Sequence, residues 1–295
     1  MKLVTFKYQG VEEVGVVNAD MTGVIPVNSI GFNFCCMNDL IEKGSAQVLK
    51  DISIMALKCS DKAISLDEVD IQAPIPRPRQ DIICVGRNYI EHIKEGARFE
   101  LTDFDGSDTP SVYFSKRVNR ALPNNAFIDG HFDKNDQLDY EAELAVIIGK
   151  DAYRVSKEES AEYVFGYTII NDVSARRVQN EHKQWYMGKS MDSFTPMGPW
   201  IVTADEFASY PPIVTVQSKV NGEIRQNSTT DMMIYSIPYI IEELSSVMTL
   251  LSGSIISTGT PSGVGMGFVP PRFLKSGDVV ECIVSGIGTL KNTVM

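Results

Sequence analysis

A chain of 295 residues with 43% hydrophobic and 22% charged residues can bury a full core and has the composition of an ordinary globular protein. Its 27 basic and 38 acidic residues leave a net charge of −11, which argues against a nucleic-acid partner because phosphate binding needs a basic surface. No apolar run reaches the ~20 residues of a membrane helix, no secretory signal begins the chain, and the spacing of the five cysteines predicts reduced thiols. We therefore predict a cytoplasmic protein without a membrane partner.

Residues 1–72 predict a small N-terminal α/β domain. Short strands are expected at 2–8 and 12–18, and one helix is expected over 37–52. Nothing in this stretch has the pattern of a catalytic motif. Residues 73–80 (APIPRPRQ) contain three prolines, which fix φ and keep the preceding residues extended, so we predict a linker there.

Residues 81–295 are rich in predicted strands. Apolar runs bounded by Gly, Pro, Asn and Asp turn signals predict strands that begin near residues 81, 111, 140, 164, 198, 213, 253 and 279. Helices are predicted roughly over 89–96, 157–163, 173–182 and 236–250. Strands that do not alternate regularly with helices indicate an α+β domain of mixed sheets rather than a doubly wound fold.

Two glutamates open the apolar strand YEAELAVIIG, residues 140–149. Side chains in a strand alternate between its faces, so Glu141 and Glu143 share one face roughly 6–7 Å apart. Two carboxylates that lose their hydration repel each other unless a cation lies between them. Oxygen ligands suit Mg²⁺, Mn²⁺ or Ca²⁺. A solvated strand end would explain the pair equally well.

A third carboxylate ends the buried strand VFGYTIIND. Asp172 precedes the helical pattern VSARRVQNEHK, and Arg176 and Gln179 follow it at +4 and +3, so one helix face could present all three. An Asp at the start of a helix is more often an N-cap. Arg176 and Gln179 would then be ordinary surface residues, although the two roles do not exclude each other.

The segment NYIEHIKE places His92 and Glu95 three residues apart on a predicted helical turn. A carboxylate at this spacing can orient the imidazole, which exchanges protons near neutral pH and is a natural general base. Such a pair is more often an ordinary surface pair.

Two glycine-containing segments do not match a nucleotide or calcium motif. GTPSGVGMG, residues 259–267, is neither a Walker A loop nor GxGxxG, and we interpret its glycines as tight turns near a pocket. The acidic segment 96–110 contains DFDGSD but lacks the spacing of an EF-hand loop.

Seven ordered blocks of this chain resemble the fumarylacetoacetate hydrolase family. They are CVGRNYIEHIKE (84–95), LDYEAELAVIIGK (138–150), GYTIINDVSARRVQ (166–179), MGKSMDSFTPMGPWIVT (187–203), NGEIRQNSTTDMMI (221–234), STGTPSGVG (257–265) and SGDVVECIVSGIGTLKNTV (276–294). The resemblance implies a catalytic domain over 81–295 in which mixed β-sheets roll into a β-rich body. The short N-terminal domain is typical of longer bacterial-type members.

The resemblance also implies roles at matching positions. It implies that the ligands of Mg²⁺ or Mn²⁺, with Ca²⁺ as an alternative, are Glu141, Glu143 and Asp172. It implies that His92 and Glu95 activate water, and that Gln179 and Lys189 assist catalysis. The substrate-binding residues that it implies are Arg176, Lys116 and Thr260.

The implied reaction is the metal-dependent hydrolysis of a C–C bond in an acylpyruvate or related 1,3-diketo acid, through a metal-stabilised enolate. Decarboxylation of oxaloacetate and hydration or isomerisation of unsaturated 2-oxo acids share that enolate and stay open. A catalytically silent scaffold with the same fold is a further alternative. The expected partners are a small anionic 2-oxo acid and a second copy of the chain in a homodimer.

Overall fold

The computed structural model describes residues 1–99 and 110–295, so most of the acidic segment 96–110 lies outside the described residues. The strands are β1 (Lys2–Tyr8), β2 (Val11–Val17), β3 (Gly23–Pro26), β4 (Ile64–Ser65), β5 (Asp70–Ile71), β6 (Ile82–Gly86), β7 (Val112–Lys116), β8 (Phe127–Ile128), β9 (Leu138–Asp139), β10 (Ala142–Ile148), β11 (Val164–Asn171), β12 (Ser174–Ala175), β13 (Met197–Thr203), β14 (Thr215–Val220), β15 (Glu223–Thr229), β16 (Ile255–Ser257), β17 (Val279–Val284) and β18 (Gly288–Val294). The α-helices are α1 (Met37–Lys43), α2 (Ala46–Lys58), α3 (Ile90–Phe99), α4 (Arg176–Glu181), α5 (Tyr186–Lys189) and α6 (Ile237–Val247).

Two large sheets organise the described residues. The larger has the order β4-β3-β2-β1-β13-β11-β10-β16-β6-β7, with β5 also paired to β1, and the smaller has the order β15-β14-β17-β18-β8. Most neighbours are antiparallel, but β16 runs parallel to β6 and β18 runs parallel to β8. The prediction of an α+β fold built on mixed sheets is therefore confirmed.

Strand β10 lies in the middle of the larger sheet and is buried along its whole length. Leu144 and Val146 belong to one hydrophobic cluster, while Ala145 and Ile147 on the opposite face belong to another. A strand with apolar residues on both faces needs packing layers on both sides. Any polar side chain at the start of β10 is consequently held between these two layers.

The predicted helices differ from the observed ones mainly at their ends. The helix expected over 37–52 is two helices, α1 and α2, because the chain breaks at Gly44 and Ser45 then caps α2 by accepting a hydrogen bond from the Val48 N–H. The helix expected over 157–163 is only a 3-10 turn, Ser160–Tyr163. In the described part of the chain, no helix is both long and apolar enough to cross a bilayer.

The segment after Asp172 also differs from the prediction. Residues 174–175 form β12, which pairs with β9, and α4 begins only at Arg176 with Ala175 as its N-cap residue. Asp172 is therefore not the cap of this helix. Its carboxylate is available for other partners.

The N-terminal residues join the larger sheet. Lys2 and Leu3 of β1 pair with Val202 and Ile201 of β13. Residues 73–80 have no regular structure, as expected for a proline-rich segment, but Ala73 and Ile75 within them are buried. The proposed division into domains at 72 and 80 stays a prediction.

Candidate active site

A cavity of about 280 Å³ lies where β6, β7, β10 and the helices α3 to α5 meet. It brings together seven residues that the sequence singles out: His92, Glu141, Glu143, Arg176, Gln179, Lys189 and Thr260. Asp172 and Lys116 are fully buried beside it. Glu95 lies next to His92.

Three carboxylates meet because of the pairing between β10 and β11. The Glu141 N–H donates to Asn171 Oδ1 at 3.0 Å, and the Asp172 N–H donates to the Glu141 carbonyl at 2.9 Å. One carboxylate oxygen from each of Glu141, Glu143 and Asp172 lies within 4.8 Å of the others, and all three residues are buried. The cluster is therefore a consequence of strand register.

Two buried lysines donate hydrogen bonds to two of the three carboxylates. Lys189 Nζ donates to Glu141 Oε2 at 2.8 Å and to Asp172 Oδ2 at 2.7 Å, while Lys116 Nζ donates to Asp172 Oδ1 at 2.7 Å. Burial lowers the pKa of Lys116. Burial also opposes the charge of Lys189, but Asp172 and Glu141 outweigh it and raise the pKa of that lysine. Lys116, predicted to bind substrate, thus lies behind Asp172, where it supports the carboxylate.

Arg176 connects the cluster to α4. Its Nε donates to Asp139 Oδ2 at 3.0 Å, its Nη2 lies 2.7 Å from Glu141 Oε1, and its Nη1 donates to Gln179 Oε1 at 3.2 Å. Asp139 also accepts from the Gly265 N–H at 2.6 Å. Asp139 is not among the residues predicted from the sequence, although its position two residues before Glu141 follows the same alternation as the two glutamates.

The two glutamates differ in electrostatic environment. Burial disfavours the Glu141 carboxylate, but Lys189 and Arg176 outweigh that effect and lower its pKa. Burial raises the pKa of Glu143 well above its usual range, and the negative charges of Asp172 and Glu141 add to the effect. Glu143 is the carboxylate whose charge is least compensated by the protein.

A divalent cation fits this donor set. The triad of Glu141, Glu143 and Asp172 offers oxygen atoms only, which suits a hard ion such as Mg²⁺, Mn²⁺ or Ca²⁺. Glu143 Oε2 is oriented by hydrogen bonds from Ser257 Oγ at 2.5 Å and from the Gly259 N–H at 3.0 Å. A bound cation would supply the positive charge that the raised pKa of Glu143 shows to be lacking.

His92 and Glu95 lie side by side on α3, with His92 Nδ1 3.6 Å from Glu95 Oε2. This separation is longer than a hydrogen bond. Both oxygens of Glu95 accept from the Gly263 N–H, at 2.9 and 3.0 Å, and a Cβ at Gly267 would lie 2.5 Å from the Glu95 carboxyl carbon. These glycines are expected at tight turns, and Gly263 has a positive φ of +103°, which favours glycine. They fix Glu95, and the imidazole of His92 lines the cavity.

Thr260 lines the cavity, but its hydroxyl is already used within the protein. Thr260 Oγ1 donates to the Ala142 carbonyl at 3.0 Å and accepts from Gln226 Nε2 at 2.7 Å. Gln226 Oε1 in turn accepts from the Ala142 N–H at 3.1 Å. Thr260 and Gln226 therefore fix the start of β10, where the two glutamates lie.

An aromatic outer wall leads away from the carboxylates. Lys189 Nζ lies 5.2 Å from the ring centre of Phe114, the rings of Phe114 and Trp185 meet edge to face at 5.1 Å, and the Arg87 guanidinium carbon lies 5.9 Å from the ring centre of Trp185. Gly86 allows this packing, since a Cβ there would lie 2.4 Å from Trp185. Three residues of this wall are not predicted from the sequence, because separate segments supply them and they share no periodic spacing: Arg87, Phe114 and Trp185.

Residues 81–295 match the sequence profile of a family described as fumarylacetoacetate (FAA) hydrolase C-terminal. The chain is 46% identical over 231 residues to oxaloacetate tautomerase YisK of Bacillus subtilis (strain 168), an alignment that covers 78% of this chain and 74% of the relative.

Solved structures resemble the whole chain. A fumarylacetoacetate hydrolase from psychrophilic Exiguobacterium antarcticum is 39% identical with a TM-score of 0.85, covering 100% of this chain and 99% of that one. A 5-carboxymethyl-2-hydroxymuconate delta-isomerase from Mycobacterium smegmatis is 30% identical with a TM-score of 0.75, with the same coverage of 100% and 99%.

Proposed function

The chain belongs to the fumarylacetoacetate hydrolase family, and we propose that it is a metal-dependent enzyme that interconverts the enol and keto forms of a small 2-oxo acid. One observation carries the proposal: two members of a buried carboxylate triad line a cavity of about 280 Å³ together with three cationic side chains and one imidazole. The similarity to an oxaloacetate tautomerase and to a delta-isomerase supports isomerisation ahead of the C–C hydrolysis that the sequence favours. Oxaloacetate is accordingly the first substrate to test.

The cavity suits the head of a 2-oxo acid, where a carboxylate and a keto oxygen lie side by side. Glu141, Glu143 and Asp172 would hold Mg²⁺ or Mn²⁺, which when bound acts as a Lewis acid and favours the enolate form of such an acid. Arg176 and Lys189 line the same cavity. They provide local positive charge that attracts an anion to a chain whose net charge is −11.

We assign proton transfer to His92. Its Nδ1 lies on the side of Glu95, which leaves Nε2 as the ring nitrogen for the substrate. In ketonisation the enol hydroxyl loses a proton and carbon 3 gains one, and an imidazole in contact with the substrate can take up the first and return the second. Gln179 Oε1 already accepts from Arg176, so its amide N–H groups are the part left to hold the enol oxygen.

Hydrolysis of an acylpyruvate stays the second candidate, because the pair of His92 and Glu95 is also suited to activating water. The similarity to a fumarylacetoacetate hydrolase structure supports this alternative. In that reaction water adds to the distal carbonyl, the C–C bond breaks, and the products are pyruvate and a carboxylic acid. Decarboxylation of oxaloacetate would instead release pyruvate and CO₂.

A panel of three assays on the metal-loaded protein separates these reactions. Enol-oxaloacetate is followed for loss of enol absorbance, oxaloacetate for pyruvate formation, and 2,4-dioxopentanoate for pyruvate and acetate. We expect the first to be fastest, with loss of activity on chelation and recovery with Mg²⁺ or Mn²⁺.

Glu141→Ala is the inactive control. Glu158→Ala, which removes an exposed carboxylate that does not line the cavity, is the matched neutral control. If 2,4-dioxopentanoate is turned over faster than enol-oxaloacetate, hydrolysis replaces tautomerisation as the proposed reaction. Full activity after chelation, or in Glu141→Ala, would contradict the metal-dependent mechanism.

A further inference from the structure

We propose that Asp139 is a positioning residue for the proton transfer assigned to His92. Its carboxylate holds two parts of the site in register: Arg176 at the carboxylate triad, and the loop 263–267, which fixes Glu95. The inference rests on the proposed function, because it takes His92 as the group that moves the proton. It adds a residue that acts on the reaction only through other side chains.

The Asp139 carboxylate is fully buried, and each of its two oxygens accepts two hydrogen bonds. Oδ1 accepts from the backbone N–H groups of Tyr140 and Gly265, at 2.9 and 2.6 Å. Oδ2 accepts from the Met266 N–H at 3.1 Å and from Arg176 Nε at 3.0 Å. A carboxylate has about four acceptor sites, so these protein donors occupy all of them. The role of Asp139 is therefore to hold other groups rather than to bind a ligand.

Two of the four bonds hold the loop 263–267, which packs against the proton-transfer pair. The Gly263 N–H donates to both oxygens of Glu95, at 2.9 and 3.0 Å, and Glu95 Oε2 lies 3.6 Å from His92 Nδ1. A Cβ at Gly267 would lie 2.5 Å from the Glu95 carboxyl carbon, so the loop backbone is in direct contact with that carboxylate. A shift of the loop would consequently move Glu95 and change the surroundings of the imidazole.

The close approach of the loop to Asp139 requires glycine at position 265. A Cβ on Gly265 would lie 2.6 Å from Asp139 Oδ1 and 2.7 Å from the Arg272 carbonyl oxygen. The φ of Gly265 is not positive, so the lack of space, and not the backbone conformation, excludes a side chain here. The sequence thus provides both sides of this contact, a carboxylate on one segment and a bare backbone on the other.

The fourth bond holds Arg176. Its Nη2 lies 2.7 Å from Glu141 Oε1, and its Nη1 donates to Gln179 Oε1 at 3.2 Å. Because one carboxylate binds both this arginine and the loop, the imidazole and the triad keep a fixed separation. Proton transfer depends strongly on such geometry, and a displacement of about 1 Å can cost about 10²-fold in rate.

The test is Asp139→Asn in the metal-loaded protein, in the wild-type and the His92→Gln backgrounds. The amide keeps the size of the side chain but has one oxygen, so its NH₂ group meets two of the four donors and two hydrogen bonds are lost. Asn292→Ala is the matched control. It removes two buried hydrogen bonds outside the cavity, from Asn292 Nδ2 to the carbonyls of Pro123 and Ala126, both at 2.9 Å.

We expect Asp139→Asn to lower kcat for enol-oxaloacetate about 10- to 100-fold in the wild-type background. In the His92→Gln background it should lower kcat less than about threefold, because the group that it positions is gone. Any rise in KM through Arg176 should be the same in both backgrounds. Asn292→Ala should lower Tm and change kcat less than about twofold in either background.

Nitrogen-15 NMR of the imidazole rings is a readout independent of turnover. The chain has three histidines, so each ring can be followed in the Mg²⁺-loaded protein. Neutral His92 should carry its proton on Nδ1, which faces Glu95, and Asp139→Asn should shift part of the population to the Nε2–H tautomer. His131 and His182 should keep their wild-type shifts, and Asn292→Ala should leave all three rings unchanged.

Gly265→Ala tests the same contact with the carboxylate intact. Its Cβ would push the loop away from Asp139 Oδ1, so we expect the same loss of kcat and the same change of tautomer. This variant replaces Asp139→Asn if the latter does not fold.

Two kinds of failure are distinguishable. Equal losses of kcat in the two backgrounds, or an unchanged His92 tautomer, overturn the positioning role of Asp139 and leave the proposed function standing. If His92→Gln keeps the wild-type kcat, or if metal-loaded wild type does not convert enol-oxaloacetate, the proposed function is wrong. The assignment of Asp139 then falls with it.

Discussion

The two ends of the cavity are built in different ways. At the carboxylate end, Glu141, Asp172, Lys116 and Lys189 are buried, and ion pairs at 2.7–2.8 Å connect them. At the other end, the outer wall is held by ring contacts of 5.1–5.9 Å. Buried charges in several contacts fix a geometry before any ligand arrives, whereas contacts between rings constrain side-chain positions less strictly. We infer that the carboxylate end is the part of the cavity that sets its chemistry.

The largest effect is expected for Glu143→Gln. The substitution keeps the shape of the side chain but removes the carboxylate whose charge the protein compensates least, so a divalent cation should no longer bind. Loss of Lewis-acid stabilisation worth several kcal/mol should reduce kcat/KM about 10³- to 10⁴-fold. Calorimetric titration with Mn²⁺ and the enol-oxaloacetate assay measure both. Tight Mn²⁺ binding by this variant would show that the metal site lies elsewhere.

Asp172→Asn should damage stability as well as metal binding. Its carboxylate faces the ammonium groups of Lys116 and Lys189, and removing one partner of a buried charge cluster costs about 3–5 kcal/mol. Urea unfolding of the metal-free proteins should show this loss in Asp172→Asn and little loss in Glu143→Gln. Equal stabilities for the two variants would mean that the lysines do not depend on Asp172.

His92→Gln tests whether proton transfer can be separated from metal binding. It removes the proton-exchanging group but no carboxylate, so we expect kcat to fall about 10²- to 10³-fold while Mn²⁺ affinity stays unchanged. Glu91→Gln, an exposed neighbour on α3, is the control. If His92→Gln keeps the wild-type kcat, another residue must transfer the proton.

The smallest effect is a pH dependence of the metal-free protein. The raised pKa of Glu143 means that the folded state keeps a proton that the unfolded state releases near the ordinary glutamate pKa of about 4.3. Its stability contribution is therefore fully present below that value and is lost as pH rises through the folded pKa. As pH rises above the ordinary glutamate pKa of about 4.3, wild type in chelator should lose Tm more steeply than Glu143→Gln does. Parallel curves for the two proteins would contradict the raised pKa.

Strand periodicity predicts only that Glu141 and Glu143 share a face, and the family resemblance is what implies that Asp172 joins them. Alternation places Glu141 and Glu143 on one face, and the end of the neighbouring apolar strand brings Asp172 to them. Asp139 escaped prediction because its partners, Arg176 and the Gly265 N–H, come from segments that approach only after folding. For the same reason, the position of Lys116 behind Asp172 could not be predicted, and it was expected at the substrate instead.

The outer wall is harder to predict because it has no local signature. Arg87, Phe114 and Trp185 come from a turn, a strand and the start of a short helix, and their contacts depend on how β6 and β7 pair. Arg87 has a φ of +58°, and the next residue, Asn88, is held by hydrogen bonds to residues about 150–170 positions away. A turn of this kind around a non-glycine residue cannot be inferred from residue type.

The pairing of β1 with β13 has a consequence for the protein's tolerance of truncation. The matched family profile begins at residue 81, and a chain cut back to that point would keep every side chain named at the cavity. It would also leave β13 with bare N–H and C=O groups along the edge that Lys2 and Leu3 cover, next to apolar residues that face β1. Unprotected edges of this kind recruit strands from other molecules. We therefore expect a chain that begins at residue 81 to self-associate more readily than the full chain, because β1 no longer covers this edge of β13.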